Sequence, residues 1–342
     1  MHMADALLSP TVGMAMNVVS AAAIGISVVK VKKHDLSEKM VPIMGIAGAL
    51  VFAGQMINFT IPLTGSSGHI SGGILLAGLL GGVPAFLSIA AVLIIQCLFF
   101  ADGGLLALGS NIFVMGVIPC LVVYPLLFKP LLKGGINYKR LSVASFISVV
   151  VGLELGAFGV VLLTLFSGIT ALPFGAFVAL MLPIHLVIAL IEGAITAAIL
   201  CFVYKMRPEI IDSTHLGEQL NVVSVKKVAI ALAIIAILAG GILSLFVSSN
   251  PDGLEWSIAK TTKQTLGMET ELETEGGIYD GAASVQENTA LLPDYSFASD
   301  PENAVGTSMA GIIGTAITFA IAGAVGFVIT KVKKKSKAVN NV

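Results

Sequence analysis

Long apolar runs are the feature that most limits what this chain can fold into. Several of them exceed the roughly 20 residues that an α-helix needs to cross the hydrocarbon core of a bilayer. Helical spans are predicted at residues 11-30, 40-58, 70-83, 84-100, 104-128, 141-166, 175-205, 226-248 and 308-330. With 56% hydrophobic and 11% charged residues, the composition also lies far outside that of soluble proteins. The predicted fold is therefore an all-α polytopic membrane protein, with about seven transmembrane helices followed by a two-helix hairpin.

Lysine and arginine are concentrated on one side of the predicted spans. Of the 19 basic residues, all but Lys260 and Lys263 follow the first or fifth span, lie between the seventh and eighth, or end the chain. Because basic loops remain in the cytoplasm, we predict a multi-pass protein of the cell (inner) membrane with an extracytoplasmic N terminus and a cytoplasmic C terminus. Met1, His2 and the loop 59-72 then share the outer face.

The chain divides into two predicted parts joined by a linker. Residues 1-208 hold seven spans rich in glycine and alanine, residues 209-225 form a polar cytoplasmic linker, and residues 226-342 form a hairpin around a long outer loop, 249-307. That loop contains the acidic run ETELETE at 269-275. An acidic outer loop attracts cations, but such a run is also common in solvated loops with no binding role, and both interpretations stay open.

The N terminus runs into the membrane without the basic leader of a secretory signal. It reads MHMADALLSP, and the bulky His2 disfavours removal of the initiator, so we expect Met1 to be retained. The mature chain would then present a free α-amino group one residue before an imidazole. Together with the peptide nitrogen of His2, these groups close two chelate rings on a transition metal.

A second histidine, His69, lies in the glycine-rich segment Thr64 to Gly73. Glycines permit turns that other residues resist, so this segment is predicted to carry His69 inward on a re-entrant loop, against protein or water. The Met1 amine, the His2 amide and imidazole, and the His69 imidazole then form four nitrogen donors on one face. Such a set suits Ni(II) or Cu(II) in a square plane and accepts Co(II). The alternative is that the terminal histidine is an ordinary surface residue.

Polar residues inside apolar spans are costly and mark candidate functional positions. Gln96, Glu154, His185 and Glu192 are of this kind, and His185 and Glu192 stand seven residues apart on one helical stripe. They would either support the metal ligands by hydrogen bonds or form a buried network that holds the helices together.

Three further polar residues, Asn58, Asp102 and Asn111, lie at predicted outer helix ends near the proposed site. The other two histidines, His34 and His215, lie in predicted cytoplasmic loops, where a surface role is expected.

The three cysteines show no metal-binding or disulfide spacing and are predicted to pack in the bundle or against lipid: Cys97, Cys120 and Cys201.

Several motif classes do not occur in the sequence. A GxxxxGK[ST] loop is missing, so ATP hydrolysis of the P-loop kind is not expected on this chain. Neither HExxH nor GxSxG is found, which disfavours a protease or esterase, and a TVGYG-like ion filter is also missing. We therefore expect a non-enzymatic membrane protein with no prosthetic group and no nucleic-acid partner.

Several motifs together resemble a known family. They are Met1 to Pro10, Ser67-Gly68-His69, Phe100 to Gly104 (FADGG), Ala107 to Asn111 with Met115-Gly116, and His185 to Gly193. In this combination residues 1-208 resemble the CbiM/NikM substrate-capture subunits of nickel and cobalt energy-coupling-factor transporters. Pro251 to Glu255 (PDGLE), followed by Pro293 to Phe297, is similar to the accessory PDGLE-type N component, here fused in the same chain.

This resemblance implies a six-helix core preceded by an extra N-terminal helix, whose leading residues tuck into the bundle. It implies Met1, His2 and His69 as ligands of a transported Ni²⁺ or Co²⁺ ion. It also implies two partners, a coupling membrane protein and a cytoplasmic ATPase. Val114 departs from the family by replacing a common asparagine, which removes a possible polar support, whereas Met3 and Ala6 leave the chelate intact.

Two other functions stay open at this point. One is a passive channel for metals or small solutes, which would transport without an ATPase. The other is a membrane-bound enzyme, which would depend on Glu154, His185 or Glu192 for turnover. The sequence does not decide between nickel and cobalt.

Overall fold

The computed structural model describes residues 1–33, 40–216, 226–266, 276–300 and 303–339. The α-helices within these ranges are α1 (Pro10–Lys33), α2 (Met40–Gln55), α3 (Gly73–Leu80), α4 (Gly82–Phe100), α5 (Leu108–Ile112), α6 (Lys129–Leu131), α7 (Tyr138–Ser167), α8 (Phe174–Met206), α9 (Pro208–Leu216), α10 (Lys226–Gly241), α11 (Gly253–Leu266), α12 (Ile278–Thr289) and α13 (Ala304–Val339). A π-helical stretch, Phe113–Phe128, joins α5 to α6 in one continuous span. Two short antiparallel strands, β1 (Phe59–Ile61) and β2 (Ser66–Gly68), form a hairpin.

Among the described residues, seven helical segments are long and apolar enough to cross a membrane. They are Pro10–Val31, Gly82–Phe100, Leu108–Leu131, Tyr138–Ser167, Phe174–Met206, Lys226–Phe246 and Ala304–Phe327, and Val41–Gln55 is a shorter apolar helix. A helix satisfies its own backbone hydrogen bonds, which a bilayer demands of any spanning segment. The predicted all-α polytopic membrane fold is therefore confirmed. Which face is cytoplasmic stays a prediction.

The third predicted span, 70-83, is wrong as a single crossing helix. Helix α3 has 8 residues, a rise of about 12 Å, which is less than half of the hydrocarbon core. The β1–β2 hairpin and an extended segment precede it, and Ser66, Ser67 and His69 are buried. The polypeptide therefore enters the bundle as a hairpin and continues as a half-length helix, in agreement with the predicted inward course of His69.

The N-terminal segment packs inside the bundle rather than extending from it. Met1, Met3, Leu7 and Leu8 all belong to the buried core, and Met3 and Leu8 are 0% exposed. The carbonyl of Met3 accepts a hydrogen bond from the Gly104 amide at 3.0 Å. We call the end of the bundle that holds residues 1–9, the loop 59–72 and the loop 101–107 the upper end. The expected tucking of the leading residues is thus present.

The predicted linker 209-225 begins as a packed helix. Helix α9 buries Ile210 and Ile211 completely. The expected surface role of His215 is wrong, since its imidazole is buried with Nδ1 3.0 Å from the Tyr124 hydroxyl and Nε2 3.0 Å from the carbonyl of Gly78. An amphipathic helix that follows directly after a span docks its apolar face on the bundle, and this packing overrides the local charge. His34 lies outside the described residues.

The C-terminal hairpin packs closely on α2 and on itself. Helices α10 and α13 meet where Gly240 faces Gly311, and Gly45 and Gly48 of α2 face α13. Small residues let helix backbones approach, which is the main source of helix association in a bilayer. The predicted outer loop 249-307 contains α11 and α12, which cover the upper end; its acidic run 269-275 lies outside the described residues. The three cysteines are unpaired, and Cys97 and Cys120 are buried, as predicted.

The glycine contact between α10 and α13 gives a direct test of this packing. A Cβ atom on Gly311 would collide with the backbone of Gly240, whereas one on Gly323 would meet no described atom within 4 Å. We predict that Gly311→Val lowers the free energy of unfolding in detergent by about 2 kcal/mol. Gly323→Val, on the same helix, is the matched control and should leave the unfolding midpoint unchanged. Equal midpoints for the two variants would contradict this packing.

Candidate metal centre

The α-amino group of Met1 lies against the imidazole of His69, although 68 residues separate them. The amine nitrogen is 2.9 Å from Nε2 of His69, and both residues are buried. Nδ1 of His69 lies 3.1 Å from the carbonyl oxygen of Ile70. Because a carbonyl only accepts, Nδ1 carries the ring hydrogen and the lone pair of Nε2 points at the amine. The structure thus brings together two of the predicted nitrogen donors.

His2, the third predicted ligand, stacks on His69. The two ring centroids are 5.3 Å apart and the planes differ by 17°. Nδ1 of His2 lies 3.3 Å from Oδ1 of Asp102, whereas Nε2 is buried and has no hydrogen-bond partner among the described residues. All three predicted ligands therefore meet at one point of the upper end.

Burial keeps both imidazoles uncharged near neutral pH. It lowers the pKa of His2 to about 3, with a further contribution from the α-ammonium charge. Burial and the same charge lower the pKa of His69 to about 3. A neutral imidazole is the form that ligates a metal, so these side chains would bind a cation without first losing a proton.

Asp102 is placed beside His2 by the C-terminal part of the chain. The hydroxyl of Tyr295 donates a hydrogen bond of 2.5 Å to Oδ2 of Asp102, and the Tyr295 ring stacks on Phe100 at 5.1 Å. Burial raises the pKa of the Asp102 carboxyl above its usual value, against this hydrogen bond. Gln96 is fully buried beside His2 and Tyr295. Both predicted residues therefore line the site.

The side chain of Asn111 holds the N-terminal segment in place by binding the backbone of Met3. Its Oδ1 accepts from the Met3 amide at 2.8 Å, and its Nδ2 donates to the Met3 carbonyl at 3.2 Å. Gly103, at φ 78°, passes directly beside it, and a side chain there would press on Asn111 and His2. Asn111 therefore positions residues 1–3.

Glu192 fixes the loop that carries His69. Its two carboxylate oxygens accept hydrogen bonds from the Ser71 amide at 2.7 Å, the Ser71 hydroxyl at 2.8 Å and the Gly72 amide at 2.9 Å. Gly72 has φ 76°, a conformation that favours glycine. Of the two roles left open for Glu192, this geometry favours positioning of the histidine loop from the α8 helix.

His185 lies one step further into the bundle. Its Nδ1 donates to the Met181 carbonyl at 2.8 Å, and its Nε2 is buried with no partner in the described ranges. The imidazole lines a small cavity together with Met1, His69 and Asp252. His185 thus lines the space beside the amine and, within the described residues, makes no hydrogen bond to Met1, His2 or His69.

Asp252 is a residue of the site that sequence reasoning missed. Its Oδ2 forms an ion pair with the Met1 ammonium at 2.5 Å. Its Oδ1 accepts from the amides of Leu254 and Glu255 at 2.8 and 2.9 Å, and Glu255 Oε2 accepts from the Asp252 amide at 3.0 Å. This reciprocal arrangement is a capping box at the start of α11.

The Asp252 carboxyl is kept ionised by what it faces. Burial alone would raise its pKa, but the α-ammonium group, His69 and the helix-cap hydrogen bonds hold the pKa well below its usual range. The PDGLE motif was visible in the sequence as a signature, and the D-x-x-E spacing marks a helix start. Neither signal says that the carboxylate reaches Met1.

A cavity of about 820 Å³ opens above the site, between the two parts of the chain. His2, Asn58, His69, Asp102 and Asp252 all line it. The side-chain oxygen of Asn58 is buried without a partner in the described part of the chain, while its carbonyl accepts from the Ser248 amide at 2.8 Å. Asn58 therefore lines the cavity that leads to the proposed ligands and, among the residues that the structure describes, makes no hydrogen bond to those ligands.

Side chains alone do not make a metal site here. No group of three or more His, Cys, Asp or Glu side chains spaced to hold a metal ion occurs within residues 1–33, 40–216, 226–266, 276–300 and 303–339. The predicted donor set differs from such groups because two of its four nitrogens belong to the main chain.

Comparison with known proteins finds two families along the chain. A profile of the family described as the cobalt uptake substrate-specific transmembrane region (CbiM) matches residues 2–210, and a PDGLE domain profile matches residues 226–331. A protein of Archaeoglobus fulgidus named as a fused nickel transport protein, NikMN, is 32% identical over 339 residues, which is 97% of this chain and 98% of that protein.

Two further similarities cover large parts of the chain. A protein of Lactiplantibacillus plantarum named as a fused nickel transport protein, LarMN, is 29% identical over 88% of this chain and 90% of its own length. A crystal structure of a truncated transition metal transporter superposes with a TM-score of 0.53 at 30% identity. The match covers 60% of this chain and 99% of that one.

The hydrogen bonds of Glu192 allow its positioning role to be measured. Glu192→Ala would leave the Ser71 amide, the Ser71 hydroxyl and the buried Gly72 amide without their acceptor, and we predict that it lowers the free energy of unfolding by about 3 kcal/mol. Glu154→Ala is the control, because Oε1 of that residue has no partner in the described structure. It should change the unfolding free energy by less than about 1 kcal/mol. If both variants unfold alike in detergent, Glu192 does not hold the loop.

Proposed function

The chain belongs to the CbiM family, and from this membership we propose that it is the substrate-binding membrane component of an ATP-driven energy-coupling-factor transporter that imports Ni²⁺ or Co²⁺. The observation that carries the proposal is the 2.9 Å approach of the Met1 amine to Nε2 of His69. An N-terminal amine is seldom buried, because removing a charge from water costs several kcal/mol. Its placement against an imidazole lone pair is what a shared metal ligand set requires.

The proposed ligands are four nitrogens from three residues. They are the Met1 amine, the His2 peptide nitrogen, the His2 imidazole and Nε2 of His69. The imidazole nitrogen nearer the His2 backbone, Nδ1, closes the second chelate ring, and it is the atom that faces Asp102. When a cation binds, Nδ1 of His2 would therefore leave the Asp102 carboxylate and ligate the metal.

This donor set favours a planar complex of a late transition metal. A deprotonated peptide nitrogen flanked by two ring-forming donors suits Ni(II) and Cu(II) in square-planar geometry and accepts Co(II). Metal binding releases the protons of the amine and the amide. Two relatives that match both halves of this chain are named as nickel transport proteins, which supports nickel as the preferred cargo.

Transport itself is proposed to need separate chains. The sequence lacks a P-loop, so ATP hydrolysis is assigned to a cytoplasmic ATPase that acts through a coupling membrane protein. The distribution of lysine and arginine supports an extracytoplasmic metal site. In this arrangement the ion is captured outside, and the partners drive its delivery inward.

The amine is the most specific element of the proposed site. We predict that two alanines added before Met1, or His69→Ala, weaken Ni²⁺ binding to the purified chain at least about 100-fold. Two added residues put the α-amine out of chelate reach of the His2 nitrogens, and His69→Ala removes an imidazole ligand. Equilibrium dialysis measures the affinity. Two alanines added after Val342 and His215→Ala are the matched controls and should bind like the wild type. Wild-type affinity in the extended or His69→Ala chain would contradict the site.

Reconstituted vesicles separate this function from a passive channel. The chain alone should bind Ni²⁺ but accumulate none, because delivery requires the ATPase. Co-reconstitution with the coupling protein and ATPase should restore ATP-dependent uptake, measured with radioactive nickel. Rapid uptake by the chain alone would favour the channel.

A further inference from the structure

The buried amine of Met1 receives its counter-charge from the far half of the chain. Asp252 lies 251 residues away and belongs to the PDGLE segment, yet its Oδ2 contacts the amine at 2.5 Å and lies 3.8 Å from Nε2 of His69. All three proposed ligands lie within the first 69 residues. The negative charge that faces these ligands belongs to Asp252, in the C-terminal part of the chain.

Hydrogen bonds to backbone carbonyls hold the PDGLE segment against the strand that leads to His69 and the turn before it. The Ser67 amide donates to the Pro251 carbonyl at 2.8 Å, and the Ser67 hydroxyl donates to the Asn250 carbonyl at 2.8 Å. The indole of Trp256 donates to the Thr64 carbonyl at 2.9 Å. These contacts fix the position of Asp252 relative to the β1–β2 hairpin, and therefore relative to His69.

The two oxygens of Asp252 have separate partners. Oδ1 caps α11, and Oδ2 pairs with the amine. A helix cap needs only one acceptor, which serine or asparagine supplies equally well. A buried carboxylate costs several kcal/mol unless its charge is compensated. Capping of α11 therefore does not explain why residue 252 carries a negative charge. Pairing with the Met1 amine beside the proposed metal site does explain it.

The packing around Asp252 is also close. Gly253 passes against His185, where a side chain would press on the imidazole. The carboxylate and the amine line the same small cavity as His69. The close packing keeps the Asp252 carboxylate beside the Met1 amine and Nε2 of His69.

We propose that Asp252 is a positioning residue for metal capture, which holds the Met1 amine beside His69 before the cation arrives and presents a negative charge to the incoming ion. The inference rests on the proposed function. It adds that the PDGLE segment forms part of the capture site although it supplies no ligand. Capture by residues 1–69 is then incomplete without the C-terminal half.

Two substitutions separate the charge from the helix cap. Asp252→Asn and Asp252→Ser both keep an oxygen that caps α11 but remove the negative charge. In the full-length purified chain, we expect both to slow the association of Ni²⁺ about tenfold, as measured by stopped flow, because the electrostatic attraction and the alignment of the amine are lost. Unfolding midpoints close to the wild type show that the cap is retained.

The matched control is Asp280→Asn. Asp280 is an exposed carboxylate of the same outer region that accepts a backbone hydrogen bond from Gly276. Its removal should leave the association rate within twofold. Unchanged or faster association in both Asp252 variants would overturn the inference while leaving the ligand set intact. A wild-type chain that binds no better than His69→Ala would instead overturn the proposed function.

A second measurement needs no substitution. A carbodiimide joins a carboxylate to an amine that is in contact with it: an amide forms, and the water that is lost converts the carbodiimide to a urea. In the metal-free wild type we expect coupling of Asp252 to the Met1 amine, detected by mass spectrometry of the linked peptides. Ni²⁺ added first should prevent it, because the amine then ligates the metal. Failure to couple without metal, or equal coupling with it, would contradict the proposal.

Discussion

The burial of a free α-amino group is the constraint on which the rest of the upper end depends. An ammonium group removed from water must be paired, and here it is paired twice, with Nε2 of His69 and with Oδ2 of Asp252. To reach that point the first nine residues must enter the bundle, where Asn111 and Gly104 bind the backbone of Met3. The glycine-rich loop must enter from another direction, held by Glu192. The half-length helix α3 is the consequence of that entry.

The two halves of the chain meet at this buried amine. The C-terminal hairpin packs on α2 through glycine contacts, and its connecting region covers the site with Tyr279, Gln286 and Tyr295. Tyr279 donates to the Leu8 carbonyl at 2.8 Å, and Gln286 donates to the Gly103 carbonyl at 2.9 Å. The region that matches the PDGLE profile therefore contacts both the N-terminal segment and the loop beside Asp102. Groups from both halves therefore line the cavity that the proposed ligands His2 and His69 also line.

Much of the fold and part of the site were accessible from the sequence, for physical reasons that differ by element. Apolar runs of sufficient length predict helical spans, because the hydrocarbon core of a bilayer excludes polar side chains and unpaired backbone groups. The convergence of Met1, His2 and His69 was predicted from the unusual terminus and a glycine-rich loop, and the structure brings these residues together. The length of α3 was not predictable, because a half-length helix buried in the bundle is as apolar as a helix that spans the membrane. His215 was misplaced because tertiary packing, not local charge, decides its burial. The contact of Asp252 with Met1 joins residues 251 apart, and no local pattern specifies such a pair.

We propose that a cation is held by main-chain and imidazole nitrogens at this buried terminus. X-ray absorption at the nickel edge, on the full-length chain loaded with one equivalent of Ni²⁺, tests it most directly. We expect four nitrogen neighbours in a square plane, with no sulfur from the Met1 thioether. A six-coordinate shell of oxygen and nitrogen, or a sulfur neighbour, would contradict it.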